Sequence, residues 1–246
     1  MKNLLSKFAG EIDKSDDPPI EFVCDEKYYS VVPEPTPAYN ELPQWYKDTP
    51  MVAENETYDT SKIGSVRRCM SFFESLSMGW ILKTPGDIEV NIQNGEMNFD
   101  WDMDLELVSN QSTDLMNSTY PEDIVLIKLA TPWRAVAKEG WSLLVVPPLN
   151  RPAEIFESTA GVLNADEFDG RINSIVKWHD LGYSGIIKKG TPISQLIPIK
   201  RTEHTDGSNC RPSTEEEDLA KERHYVQLAS DRHTYREQIW EPIHRG

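Results

Sequence analysis

Two sets of side chains in this chain have the types and spacing that chemistry asks for. Asp100, Asp102 and Asp104 alternate with apolar and aromatic residues, so on a strand they share one face. A row of carboxylates of this kind suits a hard cation, which takes oxygen ligands. It suits a solvated strand face equally well, and in a chain of formal net charge -16 that is the simpler reading. Cys69 stands beside Arg67 and Arg68, and neighbouring cations favour a thiolate. Met70, Phe72 and Phe73 alongside argue instead for a buried structural cysteine. The histidines are His179, His204, His224, His233 and His244. His224 and His233 lack the i, i+4 spacing of helical metal ligands, so they read as surface residues, and no metal site is assigned.

Other chemistries are excluded by what the sequence lacks. It contains no Gly-x-x-x-x-Gly-Lys-Ser/Thr loop, no Gly-x-Gly-x-x-Gly fingerprint, no His-Glu-x-x-His and no Gly-x-Ser-x-Gly elbow. With a pI near 4.7 the chain gains nothing from phosphate counterion release, which disfavours nucleic acid and anionic membranes as partners. No stretch approaches the roughly 20 apolar residues that span a bilayer. The scattered Cys24, Cys69 and Cys210 form neither a disulfide framework nor a zinc pair, which fits a reducing, intracellular setting. No apolar run of the signal-peptide kind opens the chain.

The elements that must position any site centre on residues 160–201. A turn feeds a strand, a polar loop follows, and a short strand and a Lys188-Lys-Gly190 turn lead to a closing apolar strand. Gly161 and Gly170 are expected at turns. Upstream, Phe72, Phe73 and Leu76 face inward from a short helix, and Gly79 turns the chain sharply into a strand from Trp80. Asn94-Gly95 signals a hairpin between two alternating strands, at residues 88–92 and 97–103. Residues 124–129 form an apolar strand that residues 131–137 follow, and residues 142–146 form another. From Trp80 to Arg201 short strands alternate with Gly, Pro and Asn turns, which predicts a mainly β sandwich or barrel.

Two appendages flank this region, giving a division at 1–62 (tail and proline-rich arm), 63–201 (β domain) and 202–246 (linker and helix). Pro33, Pro35 and Pro37 alternate, which forbids helix and central strand and predicts an extended, polyproline-like arm. Trp45 and Tyr46 read as anchors, docking the arm on its own domain or on a neighbouring subunit. Together these five residues are the candidate partner-binding set. After residue 212 the period changes: Ser213 or Thr214 caps a helix, with Glu216 or Glu217 in the capping-box position. Its apolar stripe is thin, so a surface helix to about Trp240 is expected, resting lightly on the β core or on another subunit.

The central stretch resembles the dUTPase and dCTP deaminase superfamily, whose fold is the β-clip. Ala160-Gly-Val-Leu-Asn-Ala-Asp-Glu-Phe-Asp-Gly170 is similar to that family's Gly-Val-Ile-Asp-x-Asp-Tyr-x-Gly turn. Ile187-Lys-Lys-Gly-Thr-Pro-Ile-Ser-Gln-Leu-Ile197 is similar to its closing strand. Ser77-Met-Gly-Trp-Ile-Leu82 looks like its Ala-Gly-Tyr-Asp-Leu strand, and Val146-Pro-Pro-Leu-Asn150 sits where a phosphate-contacting Pro-Arg-Ser-Gly would be. The resemblance implies a dUTPase-like β fold and, by analogy, a homotrimer. The whole chain also looks like a family of tailed-phage and bacterial proteins, through Pro35-Thr-Pro-Ala38, Leu42-Pro-Gln-Trp-Tyr-Lys47, Arg68-Cys-Met-Ser-Phe72 and Gly190-Thr-Pro-Ile-Ser-Gln-Leu-Ile-Pro198. That likeness implies a phage or phage-like source.

Departures from the enzyme pattern decide the functional expectation. Asn164 stands where the water-activating carboxylate is required, and an amide cannot accept that proton. Ile81 replaces the strand acid, and no Gly-rich segment closes the tail. The expected function is therefore a non-enzymatic phage protein, a structural or interaction component of the virion or host cytoplasm, with no cofactor and no catalytic residue. The alternative is a nucleotide-binding or dNTP-hydrolysing protein, including a sponge for a nucleotide signal. There Arg151, Asp166, Glu167, Asp169, Arg171 and Lys177 would hold the ligand, with Mg as the one cofactor.

Overall fold

A computed structural model of the chain describes residues 19–52, 64–93, 96–112, 125–201 and 210–230, with side chains of the last segment through Val226. The protein is mainly β, with three antiparallel sheets and a C-terminal helix. The first sheet is built on two long strands, β7 (Val125–Ala137) and β11 (Arg171–Trp178). β1 (Ile20–Val23) and β6 (Val108–Gln111) both pair with β7, and β9 (Phe156–Ser158) pairs with β11. The second sheet has the order β10-β8-β13-β3-β2. Its members are β10 (Gly161–Leu163), β8 (Trp141–Val146), β13 (Pro192–Lys200), β3 (Trp80–Lys83) and β2 (Thr36–Pro37). The third sheet runs β12 (Gly185–Ile187), β4 (Ile88–Gln93), β5 (Glu96–Asp100).

Alternation places the core. In β11 Ile172, Ser174, Val176 and Trp178 are buried on one face, as period-two strands require. β7 and β11 contribute to two apolar clusters. One gathers Ile88, Val90, Ile127, Leu129, Phe156, Val176 and Trp178; the other gathers Ile20, Leu82, Trp133, Leu143, Ile172 and Leu196. β7 is one continuous 13-residue strand, where the sequence suggested a strand and a following segment. Pro132 cannot donate to a ladder, and the register between β7 and β11 shifts beside it, between Arg171 and Asn173.

Of the segment before residue 62, the described residues 19–52 contribute strands to two of the sheets. β1 pairs with the end of β7, and β2 covers the edge of β3 through Thr36 opposite Ile81 and Pro37 opposite Trp80. Proline is compatible with that edge position. Pro35 is buried, the Pro33 carbonyl accepts the Trp133 indole N–H at 2.9 Å, and Ala38 is buried. α1 (Glu26–Tyr29) and α2 (Gln44–Asp48) interrupt the extended arm. Tyr46 is buried, stacked on Phe72 and Phe73 of α3 (Met70–Ser77), and Trp45 meets Phe72 edge-on. So the anchors close onto the chain's own domain.

Several other expectations change. Cys69 is exposed, because α3 buries Leu76 and hands the aromatic contacts of Phe72 and Phe73 to Tyr46, leaving Cys69 just before the helix at the surface. Arg67 meets the end of α2, donating to the Lys47 carbonyl at 2.7 Å, and lies over the Tyr46 ring. β5 ends at Asp100, so Asp102 and Asp104 lie beyond the strand; all three are exposed, and Asp104 pairs with Lys27 at 3.2 Å. Gly161 starts β10 and makes no turn. Gly79 does turn the chain: its φ is 69°, and a Cβ there would lie 2.0 Å from the Leu196 carbonyl oxygen. The Asn94-Gly95 turn itself falls outside the described residues, although Gln93 pairs with Glu96 across it.

α4 (Glu215–Ser230) begins with the expected capping box. Thr214 Oγ1 accepts from Glu217 N at 3.3 Å, and a Glu217 carboxylate oxygen accepts from Thr214 N at 2.7 Å. Its side chains through Val226 are all exposed, including Leu219 and Tyr225, so over this length it does not rest on the β core. Its expected continuation to Trp240, the linker at 202–209, and His204, His233 and His244 lie outside the described residues.

Candidate functional site

The turn between β10 and β11 carries the acids of interest. Glu167 N and Phe168 N donate to the Asn164 carbonyl at 3.1 and 2.8 Å, which closes the turn. Gly170 follows because the Phe168 ring lies against it; a Cβ there would come within 2.1 Å of that ring. The turn brings Asp166 to the start of β8 and the end of β13. Arg201 grips Asp166 with two nitrogens, each 2.5 Å from a carboxylate oxygen, and Gly140 N–H donates to the same carboxylate at 2.8 Å. The Asp166 side chain keeps 7% exposure. The Arg201 guanidinium, helped by the Gly140 N–H, holds the Asp166 carboxyl down at about 2.

Asn164 belongs to the same network. Ser142 Oγ donates to Asn164 Oδ1 at 3.1 Å and accepts from Arg201 Nη1 at 3.0 Å. Arg201 N also donates to the Gly140 carbonyl at 2.7 Å. Asp166, Asn164 Oδ1, Ser142 and Arg201 are bonded to one another, so the acid-bearing turn ties three chain segments together. A carboxylate held this way is a poor general base, since its proton affinity lies far below neutral pH.

The remaining candidates are not gathered. Glu167 is exposed and 3.8 Å from Arg201. Asp169 pairs with Arg134 at 2.6 Å, and Arg171 reaches Asp25 at 3.5 Å. Lys177 pairs with Glu157 of β9 at 3.0 Å, and the same carboxylate lies 3.9 Å from His179. Arg171 and Lys177 stand at opposite ends of β11, roughly 20 Å apart at the rise of a strand. Among the described residues no group of His, Cys, Asp and Glu is placed to hold a metal ion.

Arg151 sits in a different environment. Residues 147–152 leave β8 and cross beneath the arm, and Asn150 takes the left-handed conformation at φ 53°. The loop is pinned from inside by Gln195 of β13, which is fully buried. Its Oε1 accepts from Leu149 N at 2.9 Å, and its Nε2 donates to the Ser75 and Met78 carbonyls at 3.0 and 2.7 Å. Asn150 Nδ2 adds a bond to Ser75 Oγ at 2.7 Å. Arg151 Nη1 donates to the Glu41 carbonyl of the arm. The Glu41 carboxylate is engaged elsewhere, 2.5 Å from Lys83. Burial pulls the Arg151 guanidinium below its ordinary value, with Glu41 opposing. Beside it opens a cavity of about 240 Å³, walled by Pro147, Pro148, Pro152, Phe156 and Ile193. Trp45 borders a shallower depression across the same loop.

Sequence reasoning missed Arg201, read only as the last residue of a strand, and saw Gln195 only as part of a motif. The Lys200-Arg201 pair closing an apolar strand was the available signal for the first, and nothing local links it to the acidic turn. A single amide inside an otherwise largely apolar strand, between Ser194 and Leu196, was the signal for the second. No protein-family model and no curated protein matches the chain.

Proposed function

We propose that this protein is a non-enzymatic structural or interaction component on a dUTPase-like β-clip core, serving in a phage-like virion or in the host cytoplasm. The observation that supports it most is the state of Asp166. The second acid of the motif, two residues past Asn164, is committed to Arg201 and Gly140 and so is poorly placed to stand in as the base. Exposed Leu219, Tyr225 and Val226 on α4 supply apolar surface for assembly. In this reading the arm fastens onto its own subunit, and α4 is the element that meets neighbours.

Two measurements test this. The full-length protein, incubated with dNTPs and Mg, turns none of them over above the buffer rate. Light scattering after size exclusion gives a mass above the monomer. A strict monomer that is absent from purified particles overturns the assembly reading. Turnover that disappears in Asp166→Ala favours the nucleotide-hydrolase alternative instead.

A further inference from the structure

Arg151 is the side chain whose chemistry the fold leaves unfinished. Its Nε and Nη2 are shielded from solvent and have no hydrogen-bond partner among the described residues. These two nitrogens form one edge of the guanidinium, where parallel N–H groups take a carboxylate in a two-point grip. Nη1, off that edge, is the nitrogen already spent on the Glu41 carbonyl. Among the described residues Arg151 makes no ion pair, the Glu41 carboxylate being engaged by Lys83, and it borders the proline-walled cavity. A half-buried cation with two shielded, idle donors is costly to keep, and an anion that meets them offsets that cost.

The cavity wall selects the kind of anion. Pro147, Pro148, Pro152, Phe156 and Ile193 are apolar, which suits a ligand with a hydrocarbon or aromatic body. Glu154 and Glu157 also line the cavity. Glu157 is answered by Lys177 and Glu154 is exposed, so a multiply charged phosphate meets repulsion where a single carboxylate meets little. About 240 Å³ holds a small molecule.

We propose that this cavity binds a small monocarboxylate with an apolar body, its carboxylate gripped by the Nε/Nη2 edge of Arg151. To grip the ligand the end of the side chain must turn that shielded edge toward the cavity it borders, while the proline wall covers the rest of the ligand. The site is independent of the assembly reading and stands or falls without it.

Calorimetric titration of the full chain with benzoate and hexanoate, against benzamide, hexanamide, inorganic phosphate and dUTP, tests this. Benzoate or hexanoate binds saturably, and the neutral amides bind at least about tenfold more weakly. Arg151→Met lowers carboxylate affinity about thirtyfold or more, the loss of a two-point charged grip. Glu154→Gln, on the rim, tightens it by about two- to threefold. If Arg151→Met does not fold, the amide comparison and Glu154→Gln decide on their own. Equal binding of acid and amide, preference for phosphate or dUTP, or no saturable carboxylate binding overturns the proposal.

Discussion

Asp166 and Arg151 lie at opposite ends of the same antiparallel pair, β8 with β13, separated by roughly 20 Å of strand. Each is a charged residue in a loop that leaves a strand. At one end, turns from three segments converge, and Asp166 receives a two-nitrogen grip and a backbone N–H. At the other end a single carbonyl reaches Arg151, and two donors stay idle. The difference teaches that an acid in a suggestive motif is not thereby a base. What counts is whether the fold has already used the group. The motif acid is used; the arginine outside the motif is not.

The largest effect should come from the anchor that holds the Arg151 loop. Gln195→Ala leaves the Leu149 N–H and two helix-end carbonyls without their partner, in a position with no solvent access. A loss of about 2–4 kcal/mol is expected in urea unfolding. A near-neutral result would mean that this loop is not pinned from inside, and the contrast between the two ends would fail.

Arg201→Ala should come next. It strips Asp166 of its main partner, so the melting temperature falls, and the Asp166 carboxyl, followed by carbon-detected NMR, rises from about 2 toward 3.8. The native lock also has a pH signature. Because the folded value lies below the unfolded one, its stabilisation is complete above about 3.8 and is lost as pH falls toward 2. Asp166→Asn should flatten that part of the acid-denaturation curve. An unchanged slope between these values would show that the lock contributes nothing.

Arg151→Met sharpens the comparison from the other side. Removing an arginine with idle donors costs one bond to the Glu41 carbonyl and relieves a half-buried charge, so stability should change by no more than about 1 kcal/mol. A loss as large as that of Arg201→Ala would mean that Arg151 is as fully used as Asp166. The smallest effect belongs to α4. Truncation before Cys210 should leave the melting temperature of the β body unchanged by differential scanning calorimetry, because the helix side chains described through Val226 bury nothing against it.

The sequence by itself determined the short-range features. Alternation placed the strands, since side-chain direction in a strand has a period of two. Gly79 and Gly190, at φ 69° and 87°, were legible as turns, and Thr214 with Glu217 was legible as a cap, because those signals act over three or four residues. It also identified Asn164 as unable to do acid–base work. Only the tertiary structure decided which charges find partners. Arg201 is 35 residues from Asp166, Gln195 is 120 from Ser75, and Arg151 is 110 from Glu41. Periodicity is silent over such separations. The pairing follows from which strand ends the sheets bring together, and that is set by the whole hydrogen-bonded ladder and by no local stretch of it.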